Sequence, residues 1–292
     1  MLSTMTLIAD SGSTKTDWCL ARGGEVVARM ATQGINPFYQ SDEEITRILQ
    51  DELMSQWPEA VEDAHDVFFY GAGVRPEMAA RMKRLVGDTT RAAYVEAHGD
   101  LLGAARALFG KNEGIACILG TGANSGLYDG TRIVQNTPPL GFILGDEGSG
   151  AVMGKRFVAD LCKGLMPEGL MQEFKDATHQ DVADIINAVY RQPLPNRYLA
   201  STTRFIHQHL NVEQVNNLVV DNFRDFFRRN LVQYQRRDLP VKVIGSIAFH
   251  FREQLACAAE MEGFALNGVE QGPMLGLVAF HSGNYSEQLR NK

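Results

Sequence analysis

Three places along the chain gather residue types suited to moving a phosphoryl group. In IADSGSTKTDW, Asp10 is followed by Ser11, Gly12, Ser13, Thr14 and Lys15, directly after a short apolar run. Backbone N–H groups of such a turn can converge on phosphate oxygens, because absent side chains permit unusual dihedrals and close approach. Asp10 itself repels phosphate, but a carboxylate at a strand end can hold Mg2+ through water, and the metal can bridge phosphates. Taken alone, the segment is equally a plain hairpin with Asp10 capping its turn. In ILGTGANSG, Gly120, Thr121 and Gly122 repeat the device after another apolar run. Two such turns in separate halves could grip one polyphosphate. Neither has the GxxxxGK[ST] or GxGxxG spacing, and neither leads into a helix as those motifs require. In HGDLLGAARAL, Asp100 opens a helical pattern, either as general base toward a hydroxyl or as N-cap of residues 101–109. Glu96, within the preceding apolar run, is the competing base.

These residues need elements to hold them. Residues 5–10 and 17–21 read as strands joined by the first turn, and a second turn at Gly23 and Gly24 leads to a third strand. This is an antiparallel opening and not a βαβ unit. From Ser41 a helix is expected, with Ile45, Ile48, Leu49 and Leu53 at helical spacing. A buried strand over 66–74, a helix around 76–86, a strand over 92–98 and a helix over 100–110 follow. At 114–130 the strand, Gly/Thr/Ser turn and strand start again, which points to a duplicated architecture. Residues 149–235 read as largely helical, broken at Pro193 and Pro195. Residues 240–249 form the last clear strand and turn, and helices are expected over 249–262 and 272–283.

With 292 residues, 45% hydrophobic and 22% charged, the chain is long enough for about two domains. A formal charge of −7 argues against nucleic-acid or anionic-membrane partners, which need clustered basic surface. Cys19, Cys117, Cys162 and Cys257 are scattered without a CxxC pair, so neither zinc nor a disulfide framework is expected. The start lacks a basic region followed by a long apolar stretch, and no later run approaches the ~18 apolar residues of a membrane span. The cytoplasm is the expected compartment. His207 and His209 lie two apart in a helical stretch and face apart, against a joint metal site. The Arg- and aromatic-rich 222–237 segment reads as a packed helix with a solvated basic face.

Four motifs stand in one order: DSGSTKT (10–16), LGTGANS (119–125), LGDEGSG (144–150) and VIGSIAF (243–249). In this they resemble the N-acetylglucosamine kinase and BadF/BadG-type ATPase family of the actin, sugar kinase and heat-shock ATPase superfamily. That family's phosphate loops usually read DGGxTKT and SGTGS, so Ser11 stands for a usual glycine and Ala123 to Ser125 for a serine-centred turn. The resemblance implies an α/β fold of two ribonuclease H-like domains, over 1–103 and 104–273, with nucleotide and substrate in the cleft between them. A C-terminal helix, about 274–292, would pack back on the first domain. ATP would be held by Asp10, Ser11, Gly12, Ser13, Thr14, Lys15, Gly120, Thr121, Gly122, Gly245 and Ser246, with Mg2+ on Asp10 through water. Asp100 resembles the general base of the family's DxxG segment. Asn36, Gly71, Ala72, Thr121, Gly145 and Asp146 would meet an amino sugar. For these the residues leave plainer roles open: Asn36 before Pro37 as a turn signal, Gly71 to Gly73 as a strand end, and residues 145–149 as a helix-capping loop.

The resemblance implies an ATP-dependent sugar kinase acting on N-acetylglucosamine or a close amino sugar at its 6-hydroxyl, with a homodimer left open. A BadF-type ATPase that activates a partner enzyme is the alternative. Such activators usually carry a bridging iron–sulfur cluster, which the dispersed cysteines disfavour. A catalytically dead sugar sensor is disfavoured by the presence of both Asp10 and Asp100.

Overall fold

The computed structural model of the chain describes residues 4–12 and 14–283. Ser13 and the end of the expected C-terminal helix beyond residue 283 lie outside the described residues.

The opening residues alternate between two buried faces, as a central strand must. Strands β1 (Met5–Ser11), β2 (Lys15–Arg22) and β3 (Glu25–Gln33) form an antiparallel meander. Strands β4 (Asp66–Gly71) and β5 (Tyr94–Gly99) then add in parallel on the other side of β1, giving the order β3-β2-β1-β4-β5. Leu7, Ala9, Trp18, Val67, Phe69, Val95 and Ala97 face one core. It is closed by Ile45 from helix Asp42–Arg47, by Ile48, Leu49 and Leu53 from the π-helical turn Ile48–Met54, and by Met82, Leu85 and Val86 from helix Pro76–Thr90. Ser41 caps the first of these in a capping box with Glu44, as its acidic opening suggests. On the opposite face, Ile8, Cys19, Ala21 and Tyr70 pack against Met274, Leu277 and Val278 of helix Met274–His281.

The second sheet repeats the plan. Strands β6 (Gly114–Leu119), β7 (Ala123–Tyr128), β8 (Ile133–Gln135), β9 (Val241–Ile244) and β10 (Leu266–Glu270) stand in the order β10-β9-β6-β7-β8. Read from the other edge this is the order of the first sheet, with β6 antiparallel to β7 and parallel to β9, and β9 parallel to β10. Strand β10 is absent from the sequence reading because LNGVE carries an Asn-Gly turn signal in its middle, and its pairing slips between Leu266 and Gly268. Phe157, Phe174, Phe223, Phe226 and Phe227 from the intervening helices bury β6 and β9 through Ile115, Cys117, Leu119 and Val243.

The chain divides into two compact units, residues up to Asn112 with Asp129–Ile133 and the segment from Pro273, and Glu113–Tyr128 with Val134–Gly272. The division falls after helix Asp100–Phe109, not within it at 103. That helix lies on β4: a Cβ at Gly103 would meet the Tyr70 ring at 2.8 Å. Gly276 lets helix Met274–His281 approach equally closely, since a Cβ there would fall 2.3 Å from the Ala107 carbonyl. Among the described residues no helix is long and apolar enough to cross a membrane.

Candidate active site

In the first unit three parallel strands stop at one level. Asp10 of β1 is in register with Tyr70 of β4, and Tyr70 with His98 of β5; one step further, Ser11 aligns with Gly71 and Gly71 with Gly99. Each strand then passes into a loop at the same edge. Carboxyl ends of parallel strands are where open α/β sheets take their ligands. Asp100 comes next, as the first residue of helix Asp100–Phe109, with Gly99 at the N-cap and the Leu101 N–H donating to Asp100 Oδ1 at 2.8 Å. Asp100 is therefore not the cap itself.

Burial pushes the Asp10 carboxyl up to about 7. The charge of Asp100 adds to this, then that of Asp17, its partner across β2, while Lys15 opposes them. Lys15 Nζ lies 2.5 Å from Asp17. Burial also raises Asp100, against the backbone N–H groups of Leu101 and Asp100 itself. Two desolvated carboxylates within reach of each other's charge, neither ion-paired among the described residues, favour protonation or a hard divalent cation. This donor chemistry fits Mg2+. Glu96 is in a different state. Burial raises it, but hydrogen bonds from Tyr94 and His98 and the nearby charges of His98 and Arg106 outweigh that, leaving it below the ordinary range. Its oxygens are already engaged.

The first loop is more committed to the framework than its sequence suggests. Ser11 Oγ is buried, 2.7 Å from Thr16 Oγ1; it donates to the Ile35 carbonyl at 2.9 Å and accepts the Ile35 N–H at 3.0 Å. The Ser11 hydroxyl thus fastens β1 to the end of the meander. Gly12 N donates to the Lys15 carbonyl at 2.9 Å and closes the hairpin. Thr14 and Lys15 are exposed. Asn36 does form the turn that Asn-Pro signals, its Oδ1 accepting the Phe38 N–H at 3.0 Å. The same amide also backs onto the strand-end glycines. Gly73 has φ +78°, and a Cβ there would fall 2.1 Å from Asn36 Oδ1. Ala72 N donates to the Ser11 carbonyl at 2.8 Å, so the Gly71–Gly73 turn, Asn36 and the first loop share one edge.

In the second unit, β6 and β9 also end together, Ile118 pairing with Ile244. Gly245 follows at φ +129°, where a Cβ would fall 2.2 Å from the Leu119 carbonyl. Only glycine fits there. Ser246, the first residue of the short helix Ser246–His250, is exposed. The Gly120–Gly122 turn is tied down from behind. The Gly120 and Thr121 carbonyls accept the N–H groups of Gly150 (2.9 Å) and Ala151 (3.2 Å), which open helix Gly150–Cys162. Ser149 caps that helix by accepting the Val152 N–H at 3.1 Å. The outer side is clear: Thr121 is exposed and a Cβ at Gly120 would meet nothing within 4 Å.

Asp146, read as a sugar contact, reaches this same turn. Its Oδ2 would lie 3.0 Å from a Cβ at Gly122. Burial pushes its carboxyl up to about 6, against hydrogen bonds from the Ala123 and Gly141 backbone and the charge of Lys155, with Glu147 adding to the rise. Gly145 is a packing requirement, since a Cβ would fall 2.0 Å from the Pro139 carbonyl. Sequence reasoning missed this bracing role because Asp146 and Gly122 meet only through the fold.

No protein-family profile and no curated protein matches the chain. Solved structures do. A candidate N-acetylglucosamine kinase from Porphyromonas gingivalis is 48% identical, with a TM-score of 0.94 over 96% of this chain and 100% of that one. Two others share the fold alone. A candidate N-acetylglucosamine kinase from Chromobacterium violaceum is 16% identical (TM-score 0.72, 95% and 99% covered). The ethanolamine utilization protein EutJ from Carboxydothermus hydrogenoformans is 14% identical (TM-score 0.56, 96% and 91% covered). The identity to the first relative extends over its full length, and the doubled strand order is that of two ribonuclease H-like domains. On that ground the chain belongs to the N-acetylglucosamine kinase and BadF/BadG-type ATPase family of the actin, sugar kinase and heat-shock ATPase superfamily.

Proposed function

We propose that the chain is an ATP-dependent kinase that phosphorylates an amino sugar, with N-acetylglucosamine at its 6-hydroxyl as the first acceptor to test. The observation that carries this is the Asp10 and Asp100 pair at the carboxyl ends of β1 and β5. Proton transfer from an attacking hydroxyl needs a carboxylate whose basicity has been raised, and burial does that at Asp100. Asp10 would hold Mg2+ through water, and the bound ion would neutralise charge on the ATP phosphates. Thr14, Lys15 and the open outer side of Gly120–Gly122 would receive the phosphates, with Gly245 and Ser246 beside the adenosine. Asn36, Gly71 and Ala72 in the first unit and Thr121, Gly145 and Asp146 in the second would meet the sugar. The 48% identical relative, a candidate N-acetylglucosamine kinase, supports the kinase reading over the partner-activating one.

The test is ADP release from Mg2+-ATP with a panel of amino sugars, followed by NMR of the product to locate the phosphate. The expected outcome is sugar-dependent turnover with phosphorus coupled to the C6 protons. ATP hydrolysis with no sugar requirement would overturn the reading.

A further inference from the structure

Tyr70 carries a fully buried hydroxyl for which the proposed chemistry has no use. It stands on β4 between Asp10 of β1 and His98 of β5, its partners in register. Tyr70 and Ile8 pack on the same side of the sheet, and Asp10, two residues on from Ile8, faces that side too. Helix Asp100–Phe109 lies there. Asp100, Gly103 and Ala107 recur at the spacing of one helix face. Gly103 rests on the Tyr70 ring, where a Cβ would come within 2.8 Å, and the Ala107 carbonyl rests on Gly276 of helix Met274–His281, where a Cβ would fall 2.3 Å away. The face that carries the proposed base is therefore the face by which the helix docks.

The hydroxyl is gripped from two helices. Arg106, in the last turn of helix Asp100–Phe109, donates from Nη1 to Tyr70 Oη at 2.8 Å, and His281 Nε2 lies 2.9 Å from the same oxygen. Burial, and after it the charge of Arg106, pushes His281 down to about 3, so its imidazole is neutral. With a guanidinium donating to the phenol oxygen, the phenol O–H is left to donate to Nε2. The His281 ring is itself fixed, stacked on Phe68 at 3.7 Å. This is a costly way to hold a helix. The Arg106 side chain is 16% exposed, Glu96 lies 3.9 Å from it, and its Nε is buried with no hydrogen-bond partner among the described residues. An apolar side chain would pack there without desolvating a charge. Apolar contact is non-directional, however, and lets a helix slide and turn, whereas a hydrogen bond to a buried hydroxyl favours one position. A base needs such a fix, because displacing a reacting group by about 1 Å can cost about 10²-fold in rate.

We infer that Tyr70 is a positioning residue: its hydroxyl, clamped between Arg106 and His281, fixes the height and rotation of helix Asp100–Phe109 on β4 and with them the place of the Asp100 carboxyl. The inference rests on the kinase reading above and adds to it a residue that acts only through Asp100. The experiment measures kcat and KM of the full chain with Mg2+-ATP and N-acetylglucosamine, and thermal melting of each variant verifies folding. Tyr70→Phe keeps the ring under Gly103 and deletes only the hydroxyl. It should lower kcat roughly tenfold, the scale of a displacement well under 1 Å, while both KM values stay within about twofold. His281→Gln and His281→Leu both lose the stack on Phe68, but only Gln keeps an acceptor for the phenol. The Gln variant should hold a kcat near that of wild type and the Leu variant should match Tyr70→Phe. In an Asp100→Asn background, Tyr70→Phe should cost no more than about twofold further, because residues that act as a unit are not additive. A full additional tenfold loss in that background overturns the inference, as does a His281→Gln variant as slow as His281→Leu. Folded Tyr70→Phe that melts lower yet keeps the wild-type kcat also overturns it and leaves the kinase standing. Wild type without sugar-dependent turnover overturns both readings together.

Discussion

The two units share one strand order and put opposite chemistry at the same topological place. Where β1 turns into β2, the Ser11 hydroxyl is spent on Ile35 and Thr16 and the Gly12 N–H on Lys15. Negative charge gathers there, on Asp10 and nearby Asp100, while Asp17 is paired with Lys15. Where β6 turns into β7, the turn is held from behind by the start of helix Gly150–Cys162, and the Gly120 side is open. Asp146, the carboxylate that reaches this turn, accepts N–H bonds from Ala123 and Gly141, the first of them just past the turn. On the proposed function, the duplicated scaffold would separate two tasks that conflict in one loop. Charge that could serve a cation and a proton gathers in the first unit, and open backbone that could accept phosphate lies in the second.

The largest effect should come from removing the charge on the first side. Asp100→Asn keeps the shape and the helix start but cannot take a proton, so kcat should fall about 10²-fold or more while ATP and sugar affinity persist. Near-normal turnover in that variant would return Glu96 to candidacy despite its engaged oxygens. The second side is probed with glycine. Gly120→Val adds bulk only toward open space, so the fold should hold and ATP affinity should fall roughly tenfold, about 1.4 kcal/mol. Gly122→Val is the less clean variant, because its side chain would first push on Asp146 at 3.0 Å. Equal nucleotide affinity in wild type and folded Gly120→Val would move the phosphates off this turn.

Local pattern revealed what local physics decides. The alternation of β1 and β2, the capped helix after Ser41 and the strand–turn–strand restart at 114–130 are written in hydrophobic period and turn residues, and so was the duplication. Three features were not legible. Ser11 looks like a loop hydroxyl until β3 brings Ile35 beside it. Asp146 gives no sign in the sequence of meeting Gly122, against which the fold places it. Gly73 looks like a strand end until the Asn36 amide occupies the space of its missing side chain. Each depends on a contact between residues 24 to 37 positions apart in the chain, which no periodicity encodes.

The smallest expected effect is on stability, and it tests the charge crowding directly. Asp10 titrates near 7 in the folded chain, against an ordinary value of 3.8 once unfolded. Between these values the unfolded chain has lost a proton that the folded chain keeps, so the folded form binds more protons and stability falls as pH rises. The contribution is whole below about pH 4 and gone above about pH 7. Other groups tilt the curve too. Asp146, near 6, adds the same sign, whereas His281, buried and pushed down to about 3 from 6.5, makes stability rise with pH between those values. Both are common to wild type and Asp10→Asn, so the difference between the two melting curves isolates Asp10 and its repulsion of Asp100. Without nucleotide or Mg2+, Asp10→Asn should melt higher than wild type at pH 8 by a few degrees, on the scale of about 2–4 °C per kcal/mol. The gap should shrink as pH is lowered to 5. Melting curves that run parallel from pH 5 to 8 would mean that Asp10 is not held under charge stress, and the contrast between the two units would lose its electrostatic half.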